Sequence, residues 1–320
     1  MQNMNHIREN YFIELDEDAQ RQYIDARAVF NAWEDASRAA AEVRGGMYWQ
    51  TKHGKDYLIR TSASNSQKSL GPRSPEKEEI YRRFIERKDL AERRVVDLKE
   101  ELVKQQKFNK VLRVGRAPNL LVGILNELYK SGLADYFTVV GTHALYAYEA
   151  EAGLRILGKA ALATRDVDLL WDIQKRISFV TQMQNLDTSF LNLLKKIDSS
   201  FRRLDDHRHT ARNNKGFEVD LIRRLRKDGD PHPVQITDDE DDFYVVEAES
   251  AESLQGASQF QTIIVSTSGQ MARMRTVTPV VFAKTKRWLS ELDTRETVKR
   301  QRDKLQAEIV EKLIADHLLP

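Results

Sequence analysis

The sequence contains no cysteine. Disulfides, thiolate zinc sites and a cysteine nucleophile are therefore excluded. No stretch approaches the ~20 apolar residues that a bilayer span needs. The opening MQNMNHIRENYFIELDED has no apolar core of signal-peptide length. The expectation is a cytoplasmic protein with no membrane partner. Net charge is also scarce: 51 Lys and Arg against 49 Asp and Glu leave +2, so nucleic-acid binding must be argued from local charge. Internal repeats and low-complexity tracts are missing. Charge of both signs is plentiful, at 31% of residues beside 41% hydrophobic. Over 320 residues this describes a globular chain with room for about two domains.

Periodicity sketches the elements. Ala26, Val29, Phe30, Trp33 and Ala36 recur at helical spacing, so residues 9–44 are expected as helix, stopped by Gly45-Gly46. MYWQTKHGKDYLIRTS, 47–62, reads as a β-hairpin, and 62–75 as a Ser/Gly/Pro loop. Ser74-Pro75 opens a long charged helix to about Arg113. From Arg82 to Arg116 it carries 12 Lys/Arg against 6 Asp/Glu, which fits either a solvated helix laced with ion pairs or a face for phosphate. A short helix, Asn119–Lys130, precedes a β run at Tyr136–Val140. Helix is expected over His143–Glu151, strand over Leu162–Trp171, and largely helix over Ile177–Leu204. Residues 209–222 read as a hairpin and TDDEDD, 237–242, as a solvated acidic turn. Two strand-like runs, 260–269 and 271–277, lead into two helices, the first opened by Thr278-Pro279.

Two aspartates, Asp166 and Asp168, alternate on an otherwise apolar strand and so face one way. Side by side they repel, and each resists desolvation. A divalent cation relieves both costs, and hard oxygen ligands suit Mg²⁺ or Mn²⁺. In FEVDLI, Asp220 lies on the polar face of a further strand and reaches the same place if the strands are neighbours. Three such carboxylates would make a two-metal site, with metals ~3.5–4 Å apart. Asp166 and Asp168 would hold metal on a triphosphate, and Asp220 would be the ligand able to accept a proton. Gly141 lets the backbone approach a ligand closely. Thr142 and the amides opening the next helix would face an anion; an ordinary strand-to-helix turn is the plainer alternative.

Taken together, GTHALYAYEAEAG, TRDVDLLWD and GFEVDLI resemble the signatures of the polymerase-beta-like nucleotidyltransferase superfamily, and more closely a bacterial subfamily with a glycine-threonine pair, a D-x-D strand and a later Asp. The flanking MYWQTKHGKDYLIR, SLGPRSPE and TPVVFAKTKRWLS stretches are similar to that subfamily too. The resemblance implies metal-dependent transfer of a nucleoside monophosphate from an NTP to an acceptor. It assigns Gly141 and Thr142 to phosphate and Asp166, Asp168 and Asp220 to metal. Thr142 stands where the superfamily usually has Ser. The spacer from His143 through Arg165, 23 residues, is longer than usual.

Further candidates are weaker. Lys284, on the helix after Pro279, is a candidate for the triphosphate, as is Arg165 beside the first aspartate; plain surface charge is the alternative. Arg223, Arg224, Arg226 and Lys227 could favour a polyanionic acceptor. Tyr48, Trp49 and Tyr57 with Lys52, Lys55 and Arg60 could form an aromatic, basic surface for RNA, or simply pack a hairpin. His207 and His209 with Asp205-Asp206 read as loop.

The expected architecture is α+β, a small mixed sheet flanked by helices. Residues 1–115 would form a helical region with a hairpin, 116–278 the catalytic domain, and 279–320 helices closing the cleft. The expected acceptor is an RNA (a tRNA end, for example) or a protein hydroxyl, with a toxin-like role as one version. The rivals are an aminoglycoside-type small-molecule transferase and a non-catalytic nucleotide- or nucleic-acid-binding module of the antitoxin kind. A homo-oligomer is compatible with all of these.

Overall fold

The computed structural model describes residues 11–62, 65–162 and 164–317. The chain divides into two compact units. One spans residues 21–112; the other joins the segment before residue 21 to everything from 113 onward. The fold is α+β, as expected.

The first helix begins later than its periodicity suggests. Phe12–Glu14 form a strand, β1, that pairs antiparallel with residues 154–156. Asp16 then takes the Ala19 amide and starts α1 (Glu17–Glu42). Residues 9 and 10 lie outside the described residues. The hairpin forms as expected: β2 (Gly46–Lys52) and β3 (Lys55–Thr61) pair through a two-residue turn. His53 and Gly54 both take positive φ there, 50° and 72°, which matches the twist of the strands. The expected 62–75 loop is corrected: Gln67–Pro72 form a third strand, β4, against β3. Its Ser, Gly and Pro content hid it, and a register shift at Leu58/Ile59 accommodates Gly71 at φ 111°.

Ser74 caps α2 (Pro75–Val111) by accepting the Lys77 amide. Along α2 the more sheltered positions run Tyr81, Phe84, Lys88, Ala91, Val95, Leu98, Leu102, Gln105 and Asn109. Steps alternating between three and four residues are those of a coiled-coil seam. Gln22 of α1 donates across it to Gln105 (2.7 Å) and Asn109 (3.1 Å).

The second unit holds α3 (Asn119–Lys130), β5 (Phe137–Val140), α4 (Leu145–Ala152), β6 (Leu154–Ile156), α5 (Lys159–Leu162) and β7 (Asp166–Trp171). The long spacer before β7 is therefore structured; β6 is the partner of β1. The long helix expected over 177–204 is two short ones, α6 (Arg176–Leu186) and α7 (Phe190–Lys195), broken where Asp187 turns left-handed and Ser189 caps anew. Then come β8 (Arg202–Arg203), β9 (Thr210–Arg212), β10 (Glu218–Arg223), β11 (Val234–Gln235), β12 (Tyr244–Glu247), α8 (Glu249–Leu254), β13 (Gln259–Val265), β14 (Met271–Val277), α9 (Pro279–Glu291) and α10 (Thr297–His317).

The central sheet runs β11-β12-β10-β7-β5, with β9 also on β10 and β8 on β9. β7 and β10 are parallel, and β5 lies antiparallel on the far side of β7. Val167, Leu169, Val219 and Leu221 alternate inward to the core. Their polar neighbours on the strands consequently share the opposite face. α9 and α10 pack on each other. No helix among the described residues is long and apolar enough to cross a membrane.

Candidate active site

Strand register assembles the site. Asp168 lies directly opposite Asp220 on β10 and opposite Val140 on β5, and Asp166 lies opposite Glu218. Four carboxylates thus share one face of two neighbouring strands. Glu218 has its own cation, Arg212, across the β9–β10 pair. Among the described residues the other three have none so close. Asp166, Asp168 and Asp220 each offer an oxygen within 4.8 Å of the others. Two hydroxyls steady the edges of this group: Thr164 donates to Asp166 and Thr210 to Asp220.

Electrostatics makes the arrangement costly as it stands. Asp168 shows an edge to the cleft, yet protein crowds its carboxylate. Burial, then the charges of Asp166 and Asp220, push it up to about 7, against a weaker pull from Lys286 and Arg302. Burial also raises Asp220, opposed by the Thr210 hydrogen bond. A divalent cation would reverse these penalties, and three carboxylate oxygens are the hard donor set that Mg²⁺ or Mn²⁺ takes. The residues fit such an ion.

Gly141 is explained by this crowding. It ends β5 at φ +69°, and a Cβ there would lie 2.3 Å from Asp168 Oδ2. Only glycine admits the carboxylate at that spot. Thr142 has a partner from a distant helix. Residues Gly141–Ala144 form a 3-10 turn with no side-chain cap ahead of α4. The Thr142 hydroxyl is buried and accepts a hydrogen bond from Gln306 of α10 (3.0 Å), and Gln306 also donates to Ala161 O (2.6 Å). Next to it His143 is buried against the rings of Tyr146 and Phe217, and desolvation lowers it to about 4.

A cleft of about 220 Å³ opens beside Asp168. Gly141, Ile222 and Asp168 contribute from the sheet, Phe282, Thr285 and Lys286 from α9, and Arg295 from the turn after it. Lys284 does not line this cleft and is exposed; two residues on, Lys286 is buried at the cleft wall. Helical geometry explains the exchange, since residues two apart on a helix face different ways. Asp303 of α10 is fully buried and holds Lys286 at 2.8 Å and Arg295 at 2.5 Å. Burial lowers Lys286, and Asp303 opposes that shift. Arg165 is exposed; a Cβ placed on Gly216, in the β9–β10 turn, would lie 3.7 Å from its guanidinium.

The basic run after Asp220 is mostly spent on structure. Arg223 is buried with Glu247, Arg224 pairs with Asp230, and Lys227 pairs with Glu252. Sequence reasoning missed Thr210, Asp303 and Gln306, read His209 as loop, and favoured Lys284 over Lys286. His209 carries a signal only through register, since the strand pairing of Thr210 brings it near Asp220. Asp303 is inconspicuous among the charges of KRQRDKLQAE.

A family model described as Nucleotidyltransferase matches residues 119–320. That span contains every strand and helix named above that borders the three carboxylates. Neither a curated protein nor a solved structure matches the chain. Since the match covers well over half of the 320 residues, the chain belongs to this nucleotidyltransferase family.

Proposed function

We propose that the protein is a Mg²⁺-dependent enzyme that transfers a nucleoside monophosphate from an NTP to a hydroxyl acceptor. One observation carries this reading: three carboxylates from parallel neighbouring strands each offer an oxygen within 4.8 Å of the others, and among the described residues none has a cation of its own so close. Bound there, a pair of divalent cations would neutralise the carboxylates and the charge of the triphosphate.

In this reading Asp166 and Asp168 are ligands and Asp220 is both a ligand and the acceptor of the attacking hydroxyl's proton. Lys286 and Arg295, fixed by Asp303 at the cleft wall, attract the triphosphate. Gly141 keeps Asp168 in place, and Thr142 still has its own hydroxyl proton to donate after accepting from Gln306. Residues 116–278 form the catalytic part and 279–320 the wall that closes it. The enzyme works in the cytoplasm, with RNA or a protein hydroxyl as the favoured acceptor.

The test is incubation with α-labelled NTPs, Mg²⁺ and total cellular RNA or protein. Label should move to one acceptor fraction, and Asp166→Ala/Asp168→Ala should stop it. NTP binding with no transfer to RNA, protein or small hydroxyl compounds would sink the proposal in favour of a non-catalytic module.

A further inference from the structure

The unit of residues 21–112 carries a second feature. Its three-stranded sheet and flanking turns, 43–74, contain six Lys and Arg (Arg44, Lys52, Lys55, Arg60, Lys68, Arg73) and one acid, Asp56. That is +5 in a chain whose total is +2. Strand register sorts these residues and the nearby aromatics onto two faces. Trp49 and Arg60 turn toward α2: Trp49 meets Tyr81 at 5.9 Å between centroids, and Arg60 lies 4.3 Å over the Phe84 ring. Arg73 lies over Trp49 and binds Asp56 and Glu78. These three are structural.

The other face is different. Tyr48 pairs with Ile59, Gln50 with Tyr57, and Lys52 with Lys55. Residues directly opposite share a face, and so do alternate residues along a strand. One face of β2–β3 therefore carries exposed Tyr48, Lys52 and Lys55 beside half-buried Gln50 and Tyr57; Ile59, opposite Tyr48 and next to Ser69 of β4, is buried on the same face. Among the described residues, no side-chain hydrogen bond or ion pair involves Tyr48, Tyr57, Lys52 or Lys55. Tyr48 is 36% exposed, high for an aromatic ring in a sheet.

We propose that this face binds single-stranded nucleic acid. The two tyrosines would stack on bases, which works for any sequence because every base has a π-face. The two lysines of the turn would neutralise adjacent phosphates. Duplex fits poorly: its bases are already stacked, and Tyr48 and Tyr57 would have nothing to cover. The inference concerns binding alone and stands whether or not the protein transfers nucleotides.

Fluorescence anisotropy of a labelled single strand of about 12 nucleotides, with the full chain, EDTA and no NTP, tests it. Wild-type protein should bind at low salt, and a matched duplex should bind more weakly. Tyr48→Ala/Tyr57→Ala should cost about tenfold or more, while Tyr48→Phe/Tyr57→Phe, which keeps the rings, should bind as wild type. Lys52→Glu/Lys55→Glu, in an exposed turn that tolerates change, should weaken binding and reduce the slope of log affinity against log salt by about 1.4. Asp166→Ala/Asp168→Ala should bind normally, which separates this site from catalysis. An RNA strand bound more tightly than its DNA counterpart would assign 2′-hydroxyl reading to the face; equal binding would assign it to single strands generally. The proposal is overturned by no wild-type binding at low salt, by a duplex bound as tightly as the single strand, or by an unchanged affinity and salt slope in the Lys52/Lys55 variant.

Discussion

Two aspartates of the same unit, Asp168 and Asp242, differ in what surrounds them. Asp242 ends the acidic turn 237–242 and is fully buried. Four donors meet its carboxylate: the amides of Phe190 (2.7 Å), Leu191 (2.9 Å) and Phe243 (2.9 Å), and the Thr237 hydroxyl. It caps α7 from a distant part of the chain. The expectation of a solvated turn holds for Asp238–Asp241, which are exposed, and is corrected for Asp242. Burial raises its pKa, but those hydrogen bonds pull against the rise. Asp168 has carboxylates for neighbours, and they add to the rise. A carboxylate satisfied by donors is part of the scaffold. One surrounded by its own sign in a cleft is arranged for a cation that comes from outside.

The sharpest way to break this contrast is substitution. Asp166→Ala/Asp168→Ala should reduce nucleotidyl transfer by about 10³-fold or more, a loss above ~4 kcal/mol in activation. Melting temperature in EDTA should not fall. Asp242→Ala should do the reverse. Three amides would lose their acceptor, costing about 2–4 kcal/mol of stability, while the rate per folded molecule stays near wild type. If both substitutions damaged stability alike and left turnover alike, the distinction would collapse.

A smaller effect is expected at Gly141. Gly141→Ala would force a methyl group toward Asp168 Oδ2 and strain a backbone at φ +69°. Transfer should fall by about 30–100-fold, equal to ~2–3 kcal/mol, with the metal requirement shifted to higher concentration in a Mg²⁺ titration of the rate.

The smallest effect concerns pH. A carboxylate whose folded pKa is raised favours folding below its unfolded value and loses that advantage as pH rises through the folded value. For Asp168 the window runs from the unfolded value of 3.8 up to about 7. Asp168→Asn should therefore stabilise the metal-free protein at pH 8 by about 1–2 kcal/mol, because three groups share the repulsion, and have little effect at pH 4. Thermal denaturation in EDTA at both pH values measures this. Mg²⁺ should stabilise wild type more at pH 8 than at pH 5, and the Asn variant far less at either.

Much of the site could be read in one dimension because it is built on a strand. Alternation alone places Asp166 and Asp168 on one face, and the FEVDLI pattern puts Asp220 on the polar face of its own strand. The Gly141 turn was equally readable from its place at the end of an apolar run. Elements with strong periodicity, such as Asn119–Lys130 and the His53-Gly54 hairpin, also came through. Two of those that failed are held by distant partners, β1 by β6 and the Asp242 cap by α7; the third, β4, lies next to β3 in the chain and was hidden by its own Ser, Gly and Pro content. Lys284 and Lys286 show the same limit at finer grain. Two residues apart on one helix, they differ only in which way the helix is turned, and that is set by packing against α10.

The order of residues along the chain determined which side chains are charged, which alternate, and where backbone must turn left-handed, since these follow from local sterics and the two-residue repeat of a strand. Folding in three dimensions decided that β10 lies parallel to β7 with residue 220 abreast of residue 168, that Arg212 neutralises Glu218 and spares the other three, and that Asp303 brings two cations to the cleft. Register and helix rotation are fixed by contacts between segments far apart in sequence, and no local pattern encodes them.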